Sequence, residues 1–244
     1  MSNLQRETLP GHRPRPIVDM MVSIIIPSII LMRFSGDEGL GVTGGLVAAL
    51  AFPLGWGTFE LVKYKKFNII SILGLISVLL TGGIGLFKLD PQWLAVKEAA
   101  IPGIIGLAIF LSTFTRYPLI RTLIYNPSLM NVEKIKQVLL ERGNNEAFEA
   151  RLLNVTYLLC GTFFFSSIMN YILAKWIVNS PSGSVAFNEE LGQLALLSYP
   201  VIAIPSMLMM TGILYYLWRT INGMTGLSIE EILVSNKSDN KSSS

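Results

Sequence analysis

Six apolar segments dominate this chain, at about 17–33, 39–62, 67–87, 91–115, 152–178 and 194–219. Each approaches the roughly 20 residues that a helix needs to cross a hydrocarbon layer about 30 Å thick. Backbone polar groups find no water in that layer, so segments of this kind are read as helices. The rest of the chain agrees, because 51% of its 244 residues are hydrophobic and only 14% are charged. Mean hydropathy is +0.54. The fold class expected is all-α, a polytopic membrane bundle of six transmembrane helices with a cytoplasmic amphipathic loop. No linker divides the sequence, so one domain is expected over 1–235, followed by a disordered polar tail at 236–244.

Lys and Arg orient the bundle, because short loops rich in them stay cytoplasmic. Fifteen of the nineteen basic residues fall in alternate connections: the N-terminal tail, the YKK turn, the loop from Arg116 to Arg151, and the C-terminus. Both termini are therefore expected in the cytoplasm. Tyr64, Phe67, Tyr117, Tyr215, Tyr216 and Trp218 would sit at inner ends, with Trp93 and Trp176 at outer ends. Asp19 interrupts the first apolar run and no small-residue cleavage site follows it, so that run reads as a retained helix.

Local signals mark several helix ends. Asp90-Pro91 is an N-cap followed by proline in the first turn, and starts the fourth helix. Asn131 caps a short amphipathic helix in NVEKIKQVLLERG, which Gly143 stops. Ser228 and Glu231 have the spacing of a capping box. Arg116 to Asn126 reads as a helix lying along the membrane surface, with Leu119, Ile120, Leu123 and Ile124 on its apolar face and Arg116 and Arg121 nearby.

Small residues recur at four-residue spacing at Gly41, Gly45 and Ala49 and again at Ala99 and Gly103, which lets helix backbones approach closely. Prolines at 27, 53, 102, 200 and 205 read as kinks. Broken helices also occur around substrate sites in carriers, and six helices with both ends inside would permit two inverted three-helix repeats. The breaks do not line up between the halves. The Gly-rich TGGIGLFK lacks the ending of a phosphate loop. With one Cys, at 160, and one His, at 12, neither a disulfide framework nor a His/Cys metal cluster can be built. No catalytic, cofactor-binding or metal-binding residue is assigned, and no cofactor. The scattered basic residues, with a net charge of +3, do not form a nucleic-acid stripe. Asn154-Val-Thr156 is a chance sequon.

The polar residues at membrane depth are therefore the candidate functional or structural set: Lys97, Glu98, Arg33, Lys175, Asn170 and Arg116, with Asn154 and, near cytoplasmic ends, Asp19 and Glu60. Glu98 lies about two turns into its helix and is too short to reach the headgroups. Neighbouring helical residues point about 100° apart, which makes Lys97 a poor partner. Glu98 is expected to face the bundle and pair with Arg33 or Lys175.

At Lys97-Glu98, Gly103, Gly106, Ser112, Arg116, Pro118 and Leu119 the sequence resembles an uncharacterised family of bacterial inner-membrane proteins related to intracellular septation protein A. In that family a Lys-acid pair opens a helix that continues with spaced glycines and ends in Arg-Arg-Pro-Leu. Here Tyr117 replaces the second Arg, and Pro102 stands where a small polar residue is commoner. The resemblance is tight over about 30 residues and looser over the fifth helix. It implies a bacterial inner membrane and a role in envelope maintenance or septation, and brings no catalytic residue with it. The reading is a non-catalytic membrane protein engaging membrane lipids and envelope or division proteins, and compatible with a homo-oligomer. The alternative is a small-solute or ion transporter using its broken helices and the Lys97-Glu98 pair.

Overall fold

The structure is a computed structural model that describes residues 20–64, 69–115 and 118–233, without the side chains of 60–64 and 69–71. The expectations for Asp19, the Glu60 side chain, Arg116 and the 236–244 tail lie outside the described residues.

Among the described residues every regular element is helical, apart from a single antiparallel bridge between Met130 and Leu233. A π-helical turn, Met21–Ile25, leads into α1 (Ile26–Arg33), followed by α2 (Gly41–Tyr64), α3 (Ile69–Leu86) and α4 (Gln92–Ser112). Next come the single turn α5 (Ile120–Leu123), α6 (Val132–Glu141) and the long α7 (Asn145–Ile177). The chain ends in α8 (Val185–Ser198), a second π turn (Tyr199–Ala203), α9 (Ile204–Thr225) and the one-turn α10 (Ile229–Ile232). Among the described residues four helical stretches are long and apolar enough to cross a membrane: Gly41–Phe59, Gln92–Ser112, Asn145–Ile177 and Val185–Thr225. Met21–Arg33 and Ile72–Leu86 are shorter apolar helices. The last apolar stretch begins at Val185, well before the expected 194, because Ser184 caps it by accepting a hydrogen bond from Phe187 N at 3.1 Å.

The chain forms two compact units, Met1–Ala99 with Met169–Val201, and Ala100–Ile168 with Ile202–Ser244. In the first, α1 packs on α2 and α8, and α2 also packs on α3. Glycine makes these contacts close. A Cβ at Gly45 would lie 2.5 Å from Ser35 Oγ, and Ala49, one turn on, is fully buried. Gly41 differs from the other two small residues: its φ of +69° belongs to the turn before α2, and a Cβ there would meet nothing. Fully buried Asn188 on α8 joins three elements, its Nδ2 donating to Ser35 Oγ at 3.0 Å and to the Val42 carbonyl at 2.8 Å.

The second unit is built on one core. Leu152, Val155 and Leu159 of α7 meet Ile213, Leu217 and Ile221 of α9, and Ile135 and Leu139 of α6 join them. Gly103 and Gly106 of α4 abut Ser167 and Phe163 of α7, where a Cβ would come within 2.9 and 3.1 Å. Ile120, Ile124 and Tyr125 are buried in the same core, which corrects the expected surface helix. Among the described residues of the segment only one turn, Ile120–Leu123, is helical; Ile120 and Ile124 turn into protein and Leu119 packs against the same core, while Leu123 is exposed. Ser112 organises the entry to this turn, its buried hydroxyl donating to Ile109 O at 2.6 Å and accepting from Leu119 N at 2.9 Å.

The cap signals are realised. Asp90 Oδ1 accepts from Gln92 N at 2.8 Å, Asn131 Oδ1 accepts from Lys134 N at 3.3 Å, and Gly143 adopts φ +67°. Ser228 N donates to Glu231 Oε2 at 2.9 Å, completing the capping box. The same carboxylate receives Lys134 Nζ at 2.8 Å, and Asn131 N donates to Ile232 O at 2.8 Å, so the chain after α9 clasps α6. These bonds, that from Lys134 first, hold the Glu231 carboxyl down to about 2 from its ordinary 4.5. A carboxyl depressed on folding stabilises the folded state above its ordinary pKa and loses that contribution as pH falls through its folded value. Amide protection at residues 228–233, the exchange rate relative to that of an unstructured chain at the same pH, is accordingly expected to be high at neutral pH and to fall on acidification between about 4.5 and about 2. Protection unchanged across that window would show that the ion pair does not hold the clasp.

Candidate functional site

The residues that most need a physical account lie on α3 and α4 within the first unit. Ser77 and Thr81 stand one turn apart on α3, and hydroxyls at that spacing share a face. Thr81 Oγ1 donates to the Ser77 carbonyl at 3.1 Å, leaving its oxygen lone pairs free to accept. Lys97 of α4 fills that position. Its Nζ donates to Thr81 Oγ1 at 2.8 Å and to Ser77 Oγ at 3.1 Å, with the Ser77 carbonyl at 3.5 Å, and lies 2.7 Å from Glu98 Oε1. An ammonium has three N–H donors, and here three close oxygens receive them.

The pairing of Lys97 with Glu98 corrects the expected partnership of Glu98 with Arg33 or Lys175. The 100° between neighbouring Cα–Cβ directions describes where side chains start, not where they end. Four methylenes let the ammonium swing back to the adjacent carboxylate while still reaching α3. Arg33 ends α1 as an exposed residue, and Lys175 is exposed near the end of α7. Asn170 is half-buried on α7. Among the described candidates, the structure pairs Lys97 with Glu98.

Burial decides what the pair can do. The Lys97 side chain is 8% exposed and that of Glu98 30%, so the cation lies inside and the anion at its edge. A charge removed from water is tolerated only when paired and hydrogen-bonded, as this one is. The arrangement ties α3 to α4 and leaves no donor of the ammonium unused. Among the described residues, no three His, Cys, Asp or Glu side chains lie close enough to share a metal ion. Ser77 and Thr81 were not singled out in the sequence. Their signal is a pair of hydroxyls at i, i+4 in an otherwise apolar helix.

A second feature also escaped the sequence reading. Both π turns run into the same pattern, Ile24-Ile25-Ile26-Pro27-Ser28 and Ile202-Ala203-Ile204-Pro205-Ser206. Proline removes an N–H from each helix, and π turns are themselves rare. In each copy the serine Oγ is buried without a hydrogen-bond partner.

No family model, no curated protein and no solved structure matches this chain.

Proposed function

We propose that the chain is a non-catalytic, multi-pass protein of the bacterial inner membrane, with six membrane spans, both termini cytoplasmic, and a role in envelope maintenance or septation. The observation that carries the non-catalytic part is the saturated Lys97 ammonium, which Ser77, Thr81 and Glu98 turn into a helix clamp. Two shorter apolar helices, Met21–Arg33 and Ile72–Leu86, are the candidates for the two spans beyond the four long ones. The basic residues between α4 and α7 support the orientation, and the resemblance around Lys97-Glu98 supports the envelope role. Depleting the protein in its native host should give osmotically fragile cells or cells that fail to separate. Normal cells that have lost uptake of one solute would overturn the envelope role.

Orientation is tested separately. A cysteine placed at exposed Lys136 in a Cys160→Ser background should react with an impermeant maleimide only after the membrane is opened. Labelling in intact cells would reverse the topology.

A small-solute carrier is the second reading. The matched Ile-Pro-Ser breaks favour it, because unpartnered hydroxyls beside interrupted helices are groups that a polar solute or ion would need.

A further inference from the structure

The second unit holds a polar cluster that neither reading uses. Arg151 and Asn154 lie one turn apart on α7, and Tyr216 and Thr220 one turn apart on α9. They flank the seam formed by Leu152, Val155 and Leu159 against Ile213, Leu217 and Ile221. Arg151 Nη1 lies 3.5 Å from the Tyr216 hydroxyl, which the side chains of Asn154 and Thr220 also approach. The other basic side chains that this unit pairs are matched to carboxylates: Arg121 to Glu149 at 2.6 Å, and Lys134 to Glu231 at 2.8 Å. Arg151 has no such acid among the described residues. Its one loose bond to a phenol leaves most of its five donors unused, and Arg151 and Asn154 are exposed.

The surface that runs from this cluster along both helices is apolar and open. Beyond Asn154, α7 presents exposed Leu158 and then Gly161, and beyond Tyr216, α9 presents Gly212 and then exposed Leu208. A Cβ at either glycine would meet nothing within 4 Å. A cationic fork with phenol, amide and hydroxyl groups, at the head of an apolar strip between two membrane-length helices, matches one chemistry. That chemistry is a phosphate monoanion carrying acyl chains.

We propose that Arg151, Asn154, Tyr216 and Thr220 bind the phosphate of an anionic phospholipid whose chains lie along the α7–α9 strip. Arg suits this task because its planar fork engages two phosphate oxygens at once. Tyr215 and Trp218, tilted 43° to each other with ring centroids 5.6 Å apart, place the cluster at the level where aromatic residues meet headgroups. The proposal rests on the membrane reading and is independent of the envelope role, which the depletion experiment tests.

The full-length protein in mild detergent, titrated with phosphatidylglycerol and followed by native mass spectrometry and thermal unfolding, provides the test. Phosphatidylglycerol should bind and raise the melting temperature, while phosphatidylcholine and inorganic phosphate should not. Arg151→Gln should weaken binding about fivefold, the worth of one basic group beside anionic lipid. Tyr216→Phe should weaken it less. Arg151→Lys keeps the charge and should retain most of the lipid preference, so it serves as the measure if Arg151→Gln does not fold. Equal responses to phosphatidylglycerol and phosphatidylcholine would overturn the proposal. So would an Arg151→Gln protein that binds like the parent, an Arg151→Lys protein with no preference, or a full response to inorganic phosphate alone, which would make the cluster a free-anion site.

Discussion

Lys97→Met should lower stability in detergent by about 2–3 kcal/mol, and Glu98→Gln by a similar amount, whereas the double variant should lose less than the sum. Breaking a buried ion pair from one side typically costs about 3–5 kcal/mol, because the remaining charge is stranded. The lower figure applies here because Glu98 keeps some access to solvent, with 30% of its side chain exposed. In the Lys97 variant Ser77 and Thr81 can still bond within α3, as Thr81 already does to the Ser77 carbonyl. In the Glu98 variant the ammonium keeps its two hydroxyls but loses its counter-charge. Replacing both removes the stranded charge, which is why the losses should not add. Thermal unfolding of the four proteins completes the cycle. Strict additivity would mean that the 2.7 Å pair carries no coupling. A Lys97→Met protein of undiminished stability with no cellular activity would argue for the carrier.

A larger loss is expected from Gly192→Val. A Cβ alone at this position would lie 2.7 Å from Met32 Cγ and 2.9 Å from the Ser28 carbonyl oxygen. The methionine can bend away. The carbonyl belongs to the backbone of α1 and cannot, so α1 and α8 must separate. Overpacking costs about 1–3 kcal/mol and sometimes more, and a backbone obstacle places this variant at the upper end. It would also strain the Asn188 joint one turn away, with its bonds to Ser35 and Val42. The expected result is a protein that fails to accumulate in membranes, or that unfolds about 6–12 °C below the parent at about 3 kcal/mol lost. Gly223→Ala is the control: nothing lies within 4 Å of its Cβ, so it should be neutral or slightly stabilising. If the two variants behave alike, the close approach of α1 and α8 is wrong.

Helix ends were legible in the sequence because they are written in short range. Asp90, Asn131, Gly143 and the Ser228–Glu231 box each act within about four residues, and each appears where its chemistry places it. Faces were less legible. In the segment after α4, periodicity puts Leu119, Ile120, Leu123 and Ile124 on one face, and a membrane surface reads as its partner. Ile120 and Ile124 instead enter a protein core, with Leu119 against it and Leu123 exposed, and that core is completed by Ile213, Leu217 and Ile232, about a hundred residues later. The Lys97 partners were missed for the same reason, since Ser77 and Thr81 lie on another helix. The π turns leave no trace in a hydropathy pattern, because one wide turn changes neither the composition nor the length of an apolar run.

The clasp between α10 and α6 bears on the order in which the second unit can be completed. Its core draws on residues from Ile109 to Ile232, and Leu227 and Ile232 are buried in it beside Ile135 and Leu139. A growing chain delivers those residues after α9 has already been made. During synthesis, α6 must therefore wait with Ile135 and Leu139 uncovered while α7, α8 and α9 are made, and closure of this core comes last. A ribosome stalled before residue 227 would hold a chain whose α6 still shows Ile135 and Leu139, which Leu227 and Ile232 have yet to join.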